Sequence, residues 1–279
     1  MKDNYLRVGT TYFKKSLYPT LSGDRIEILL PWSPELIRQD HGKNALSLVE
    51  IFDGFICFPE NRLEFYLKNH QGYYNTYHSL SKNPIEGDIT NTKKFITHIF
   101  GEQTEIGFDY LQLLYLKPTQ ILPILCLVSK ERATGKSTFL KWLKEIFEYN
   151  LTYLTNDSFS SNFNADWASK LLICIDEVLF QTEILTERIK YLSTTNVNKI
   201  EAKGKDRKEI EFFGKFILCS NNETSFIKID ADEIRFWVRR IDSYEKEDVH
   251  FLSKLIKEIP AFLYFLSKRQ LSTENKSRM

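Results

Sequence analysis

The chain is poor in the residues that build stapled or metal-held folds. It has 4 cysteines among 279 residues, Cys57, Cys126, Cys174 and Cys219. They lie far apart, with no Cys-x-x-Cys pair and no Cys/His spacing of the zinc type, which excludes a zinc module and a disulfide scaffold. Three of them sit inside apolar runs (LPILCLV, LLICID and KFILCS) and read as buried thiols in a reducing compartment. No apolar run approaches the ~18 residues of a membrane-spanning helix. The opening MKDNYLRVGTTYFKK lacks a signal-peptide apolar region. The expectation is a cytoplasmic protein with no membrane partner. Glycine (11) and proline (8) are too few for a collagen-like or linker composition. An excess of charge is missing too: 38 Lys+Arg stand against 37 Asp+Glu, a net +1. Any contact with nucleic acid must therefore come from a local patch. Internal repeats and low-complexity tracts are absent.

What is present is core material. Hydrophobic residues at 42% and aromatics at 14% exclude a wholly disordered chain. The length suits one large domain, or a catalytic domain with a smaller appendage. Residues 1–87 are aromatic-rich and punctuated and read as a small accessory region. Within them Ser33 is a candidate N-cap with Pro34 at the first helical position. HQGYYNTYHSLSKNPIEGD reads as a loop or linker. From about residue 88 the pattern sharpens. TNTKKFITHIF and FDYLQLLYL are helical, ended by Gly101 and Pro118. Three short, almost wholly apolar runs follow, at 121–128, 171–175 and 215–220. They read as strands buried on both faces, the habit of a parallel sheet. Helical patterns at 137–147 and 182–193 lie between them, so the fold class is α/β. Residues 249–269 read as two short helices split at Pro260.

The first buried strand runs straight into SKERATGKST. Thr134-Gly135-Lys136-Ser137-Thr138 carries the second half of the phosphate-loop pattern GxxxxGK[ST], in the required order of strand, loop and helix. Backbone N–H groups at a helix start cradle phosphates, Lys136 reaches the β- and γ-phosphates, and the Ser137 hydroxyl ligates Mg²⁺. The departure is Lys130, which stands where the pattern has its first glycine.

LLICIDE puts Asp176 and Glu177 at the end of a second buried strand, the edge where open α/β sheets bind ligands. Asp176 would complete the Mg²⁺ shell, and Glu177 would orient or deprotonate a water. Two adjacent acids with different tasks suit nucleotide hydrolysis better than transfer to a bound acceptor. KFILCSNN ends a third strand, where Asn221 can hold the attacking water. Arg235, Arg239 and Arg240 in DADEIRFWVRRI are candidates for an arginine that stabilises transition-state charge. If FWVRRI is a strand, Arg239 and Arg240 face opposite ways. Arg235, at the strand entrance, is favoured. Surface ion pairing with Asp230, Asp232 or Glu233 is the plain alternative. Between the second and third strands, KIEA and EIEFF flank KGKDRK as a β-hairpin. Its tip gathers Lys203, Lys205, Arg207 and Lys208, which could follow a phosphate backbone or simply be solvated.

These elements in this order resemble a superfamily 3 helicase, the AAA+ type of phage, plasmid and small-virus replication proteins. The similarity looks closest to the helicase part of phage and prophage primase-helicases. It is carried by TGKST, LLICIDE, EAKGKDRKEIEFFGK, FILCSNN and RFWVRRI, over about residues 92–245. The resemblance implies an AAA+ P-loop NTPase with a central parallel sheet flanked by helices, from 92 to 245. A small N-terminal accessory or linker region (1–91) would precede it, and short C-terminal helices with a frayed tail (246–279) would follow. It implies ATP and Mg²⁺ as cofactors, a homo-hexameric ring, and hydrolysis at subunit interfaces with Arg235 or Arg239 reaching the neighbour's site. It implies a hairpin tracking single-stranded DNA 3′ to 5′, and a primase upstream or encoded separately. Other classes remain: an AAA+-like ATPase remodelling a protein partner without a nucleic-acid track, a small-molecule kinase, or a degenerate nucleotide-binding scaffold.

Overall fold

The computed structural model describes residues 4–19, 25–178, 182–201, 206–223, 226–227, 232–244 and 248–272. The chain divides into two compact units. The first comprises Met1–Phe58 and Leu67–Tyr77. In it β1 (Tyr5–Val8), β2 (Thr11–Pro19), β3 (Arg25–Pro31) and, after helix α1 (Pro34–His41), β4 (Glu50–Phe52) form a sheet in the order β3-β2-β1-β4. Strand alternation sends Leu6 and Val8 to one face with Phe52 and Tyr74, and Tyr5 to the other with Ile37 and Val49. Both faces are therefore covered. Ser33 does cap α1: its hydroxyl accepts the Glu35 N–H at 3.1 Å.

A second small sheet pairs β5 (Gly54–Ile56), β6 (Asn69–His70) and β7 (Tyr73–Asn75) in the order β5-β7-β6. This corrects the linker reading of residues 70–88 at its start. Gln71 and Gly72, both at positive φ (52° and 88°), make the two-residue turn of a hairpin. The hairpin then buries Tyr74 and Asn75.

The second unit takes in Pro59–Tyr66 and His78–Met279. Its elements are α2 (Thr90–Phe100), α3 (Thr104–Leu116), β8 (Ile124–Val128), α4 (Lys136–Phe147), β9 (Leu151–Leu154), α5 (Asn156–Ser160), β10 (Leu172–Ile175), α6 (Glu183–Leu192), β11 (Val197–Ile200), β12 (Lys208–Glu211), β13 (Lys215–Ser220), β14 (Phe236–Arg240) and α7 (Phe251–Lys268). Five strands form a sheet in the order β14-β8-β13-β10-β9, every pair parallel. The three unbroken apolar runs are its buried centre, β8, β13 and β10. The expected α/β architecture, a parallel sheet flanked by helices, is present. Two edge strands complete it. β14 is the FWVRRI strand, while β9 is a half-buried four-residue LTYL, too short for its period to stand out.

One sheet face packs Cys126, Ile173, Phe216 and Leu218 against Phe159, Trp167 and Ile189. On the other, Trp237 stacks on Phe100, which meets Phe139 and through it Trp142 and Phe262. That aromatic series ties α2, α4 and α7 to the sheet.

The C-terminal segment is one helix, α7, with Pro260 inside it, and not two helices split there. An internal proline costs about 3 kcal/mol through a lost hydrogen bond and a clash. Burial of Leu255, Ile259, Phe262, Leu263 and Leu266, at about 1.5–3 kcal/mol each, outweighs that. The helix also anchors α2. The Glu258 carboxylate accepts the Asn91 and Thr92 backbone N–H groups at 3.2 and 2.7 Å, so a side chain 166 residues away caps α2.

At the other end of β13, Lys215 is buried, and its ammonium donates to the Phe213 carbonyl at 2.6 Å and to that of Pro118. Burial pushes its pKa down to about 7 from 10.5. The folded amine thus sheds its proton near pH 7, while the unfolded chain keeps it until about pH 10.5. Between those values the unfolded state binds more protons, so stability should rise with pH, by up to ~1.4 kcal/mol per unit from this group. Denaturant melts from pH 7 to 10 should show a steeper rise for the unaltered chain than for Lys215→Met. Parallel profiles would refute the assignment.

Candidate functional site

The parallel register brings the C-terminal ends of three strands to one edge. Val128 of β8 pairs with Ser220 of β13, and Ile175 of β10 with Leu218. Past these ends the chain is cross-tied: the Ser129 N–H reaches the Ser220 carbonyl at 3.2 Å, and the Val178 N–H the Cys219 carbonyl at 2.8 Å. Residues 132–138, Asp176, Glu177 and Asn221 therefore line one cleft of about 300 Å³. The chain leaves β8 for β9 at one edge of the sheet, while from the adjacent β13 it crosses back to β14 at the other edge, the kind of switch point where open sheets bind ligands.

The loop leads straight into a helix N-terminus. Gly135, at φ +90°, precedes α4 and offers no side-chain cap, which leaves the helix's first N–H groups without a side-chain partner. A Cβ there would meet Phe95 at 3.2 Å and be strained by the φ besides. Ala133 also sits at positive φ, +57°. Lys130 does not, so the turn leaving β8 is made without the pattern's first glycine. Its ammonium lies 3.9 Å from Glu223.

Lys136 is buried at the cleft floor, only 7% exposed. Its Nζ donates to Asn221 Oδ1 at 3.0 Å, to Thr134 Oγ1 at 3.2 Å and to Ser129 Oγ, which uses all three of its protons. Burial lowers its pKa, against the opposing pull of Asp176 and Glu223. Ser137 Oγ lies 3.3 Å from Asp176 Oδ2. Among the described residues no group of three or more His, Cys, Asp or Glu gathers to hold a metal alone. The hydroxyl and the carboxylate are two oxygens that could contribute to the shell of a hard cation such as Mg²⁺. Glu177 is held at φ +57°, a costly conformation for a glutamate. Its N–H reaches Asp176 Oδ1 at 3.1 Å, and its carbonyl accepts from Asn156 at 3.2 Å.

Beside the cleft, and sharing Ala133, Gly135 and Thr138 with it, lies a more apolar cavity of about 440 Å³ walled by Phe95, Tyr244, Val249 and Phe251. The sequence offered no signal for this wall, whose residues lie some forty positions before the loop and more than a hundred after it. The same is true of His98, whose Nε2 bonds the Thr134 carbonyl at 2.9 Å.

The other sequence-derived candidates are dispersed. Arg239 sits at the loop edge of the sheet, beside Leu127, and donates to Gln103 Oε1 at 3.2 Å. Arg235 immediately precedes β14 at its opposite end, about 13 Å away along the strand, and pairs with Glu233 at 2.6 Å. The hairpin exists as β11 and β12, with Ile200 opposite Lys208. Lys208 is exposed, and Arg207 is paired with Glu201 at 2.6 Å. Lys203 and Lys205 lie outside the described residues, as does Asp230.

A family of unknown function (DUF5906) matches residues 127–240, the span from β8 to β14. No match was found among curated proteins. Among solved structures, the apo C-terminal region of NrS-1 (305–718) superposes with a TM-score of 0.72 at 17% identity, over 96% of this chain and 67% of that one. A second form of that region gives 0.72 at 18%, with the same coverage. JCV helicase reaches a TM-score of only 0.41 at 12% identity, over 64% of this chain and 54% of that one, too low to carry an argument. The chain thus spans about two thirds of the NrS-1 region, and at that identity the likeness establishes a shared fold.

Proposed function

We propose that the chain is an ATP-driven DNA helicase or translocase of the superfamily 3 type, acting as a homo-hexameric ring on single-stranded DNA in phage or mobile-element replication, with a primase upstream or separate. The observation that carries this reading is the meeting of three strand ends at one cleft, through the Lys136–Asn221 and Ser137–Asp176 bonds. The AAA+ P-loop assignment, with residues 92–245 as its core, rests on the same convergence.

In this reading the triphosphate lies along the loop 133–137, and the base enters the aromatic-walled cavity. Lys136 exchanges its contacts with Ser129, Thr134 and Asn221 for phosphate oxygens. Thr138 flanks both the cleft and the cavity. Ser137 and Asp176 would hold Mg²⁺, which would supply positive charge against the triphosphate. Asn221, released by Lys136, orients the attacking water, and Glu177 takes its proton. An arginine from the neighbouring subunit, Arg235 or Arg239, compensates the charge that develops. The hairpin residues Lys203, Lys205, Arg207 and Lys208 follow the DNA backbone. No helix among the described residues is long and apolar enough to cross a membrane.

The test is ATP hydrolysis by the purified chain, with and without single-stranded DNA, at low and moderate salt. Stimulation by DNA that fades as salt rises is expected, because backbone contacts release counterions. Hydrolysis indifferent to DNA would favour remodelling of a protein partner. The Arg207–Glu201 pair, which neutralises part of the hairpin's charge, is the observation on that side. A phosphorylated acceptor in place of free phosphate would make the chain a kinase.

A further inference from the structure

We infer that His98 is a positioning residue for the phosphate loop, acting through the Thr134 carbonyl; the inference rests on the nucleotide reading of the cleft. His98 lies in the last turn of α2, half-buried, with Nε2 2.9 Å from that carbonyl oxygen. A carbonyl only accepts, so Nε2 carries the proton. The imidazole is oriented by the Tyr244 ring, packed edge-on at 4.6 Å and 84°. The Tyr244 backbone N–H in turn reaches the Ala133 carbonyl at 3.4 Å.

These contacts matter because of where the loop is soft. Gly135 tolerates either sign of φ, so the Thr134–Gly135 peptide is the one most easily turned over. In a planar trans peptide the C=O and N–H point in opposite directions. Holding the Thr134 carbonyl towards His98 fixes the Gly135 N–H on the far side, away from α2. The Tyr244 bond does the same for the Thr134 N–H. Two backbone donors of the cradle are thereby oriented before any ligand arrives, and the cost of ordering them is not charged to binding. The rigidity behind His98 is long-range: Glu258 fixes the start of α2, and the Phe95 and Phe251 rings brace its middle at 5.3 Å.

The experiment is calorimetric titration of the full chain with Mg²⁺–ATP and with inorganic tripolyphosphate, for the unaltered chain, His98→Leu and His98→Gln. His98→Leu removes the donor and should weaken both ligands alike, by about tenfold, the value of one net hydrogen bond. His98→Gln keeps an N–H of similar reach and should recover most of the loss. Should the leucine variant melt early, His98→Phe, which retains the ring on Tyr244, takes its place. Undiminished affinity in the donor-less variant would overturn the inference, as would a glutamine variant no better than leucine. A loss confined to ATP would also overturn it, since that would assign His98 to the base. Failure of the unaltered chain to bind either ligand would overturn the functional reading itself, an outcome distinct from these.

Discussion

Replacing Lys136 with alanine should abolish measurable ATP binding. The ammonium is buried, and its three present partners are all neutral oxygens that a phosphate can displace. Burial already lowers its pKa, so the site gains most when a negative ligand arrives to hold the proton on. Removing one partner of a buried, hydrogen-bonded charge pair costs about 2–5 kcal/mol, roughly 30-fold to several thousand-fold in affinity. Calorimetry with Mg²⁺–ATP reads this directly, with a thermal melt confirming the fold. Lys136→Ala binding ATP as the unaltered chain does would remove the cleft's assignment. The apo fold should tolerate the change, because the sheet beneath is closed by the Ser129–Ser220 and Val178–Cys219 backbone bonds, which do not involve the lysine.

Glu177→Gln should separate binding from hydrolysis. Glu177 follows Asp176 just past the end of β10, exposed to the cleft, with its backbone fixed on both sides by Asp176 and Asn156. Residues held in the left-handed region cluster at functional sites, which is what motivates the substitution here. The amide has nearly the carboxylate's shape but cannot take a proton from water. ATP affinity should stay unchanged while single-turnover hydrolysis falls by about 10²–10⁴, the usual contribution of a general base. An active glutamine variant would move the water-activating role to another group. The contrast with Lys136→Ala is the point: one variant loses the ligand, the other keeps it and loses the chemistry.

The chain's own pattern determined the centre of the second unit. Three unbroken apolar runs, each too short for a helix, could only be strands buried on both faces, and residues with helical periods between them imposed parallel crossovers. That places the ends of β8, β10 and β13 on one edge, so Lys136, Asp176 and Asn221 share a neighbourhood before any coordinate is known. Local caps were legible as well, since Ser33 and Pro34 act within a few residues of one another.

Tertiary structure decided everything that depends on partners distant in sequence. α7 runs through Pro260 because its apolar face is buried, and no local signal weighs that burial against a proline. Glu258 caps α2 from the far end of the chain, and His98 reaches the phosphate loop from a helix that looks merely amphipathic. The positions of the arginines were decided in the same way: the parallel pairing of β14 with β8 fixes which end of the strand lies at the cleft, with Arg239 near that end and Arg235 at the other. Periodicity and turn chemistry are properties of neighbouring residues and can be read along a sequence. A hydrogen bond or a packed wall across some 36 to 166 positions is a property of the folded surface that brings them together.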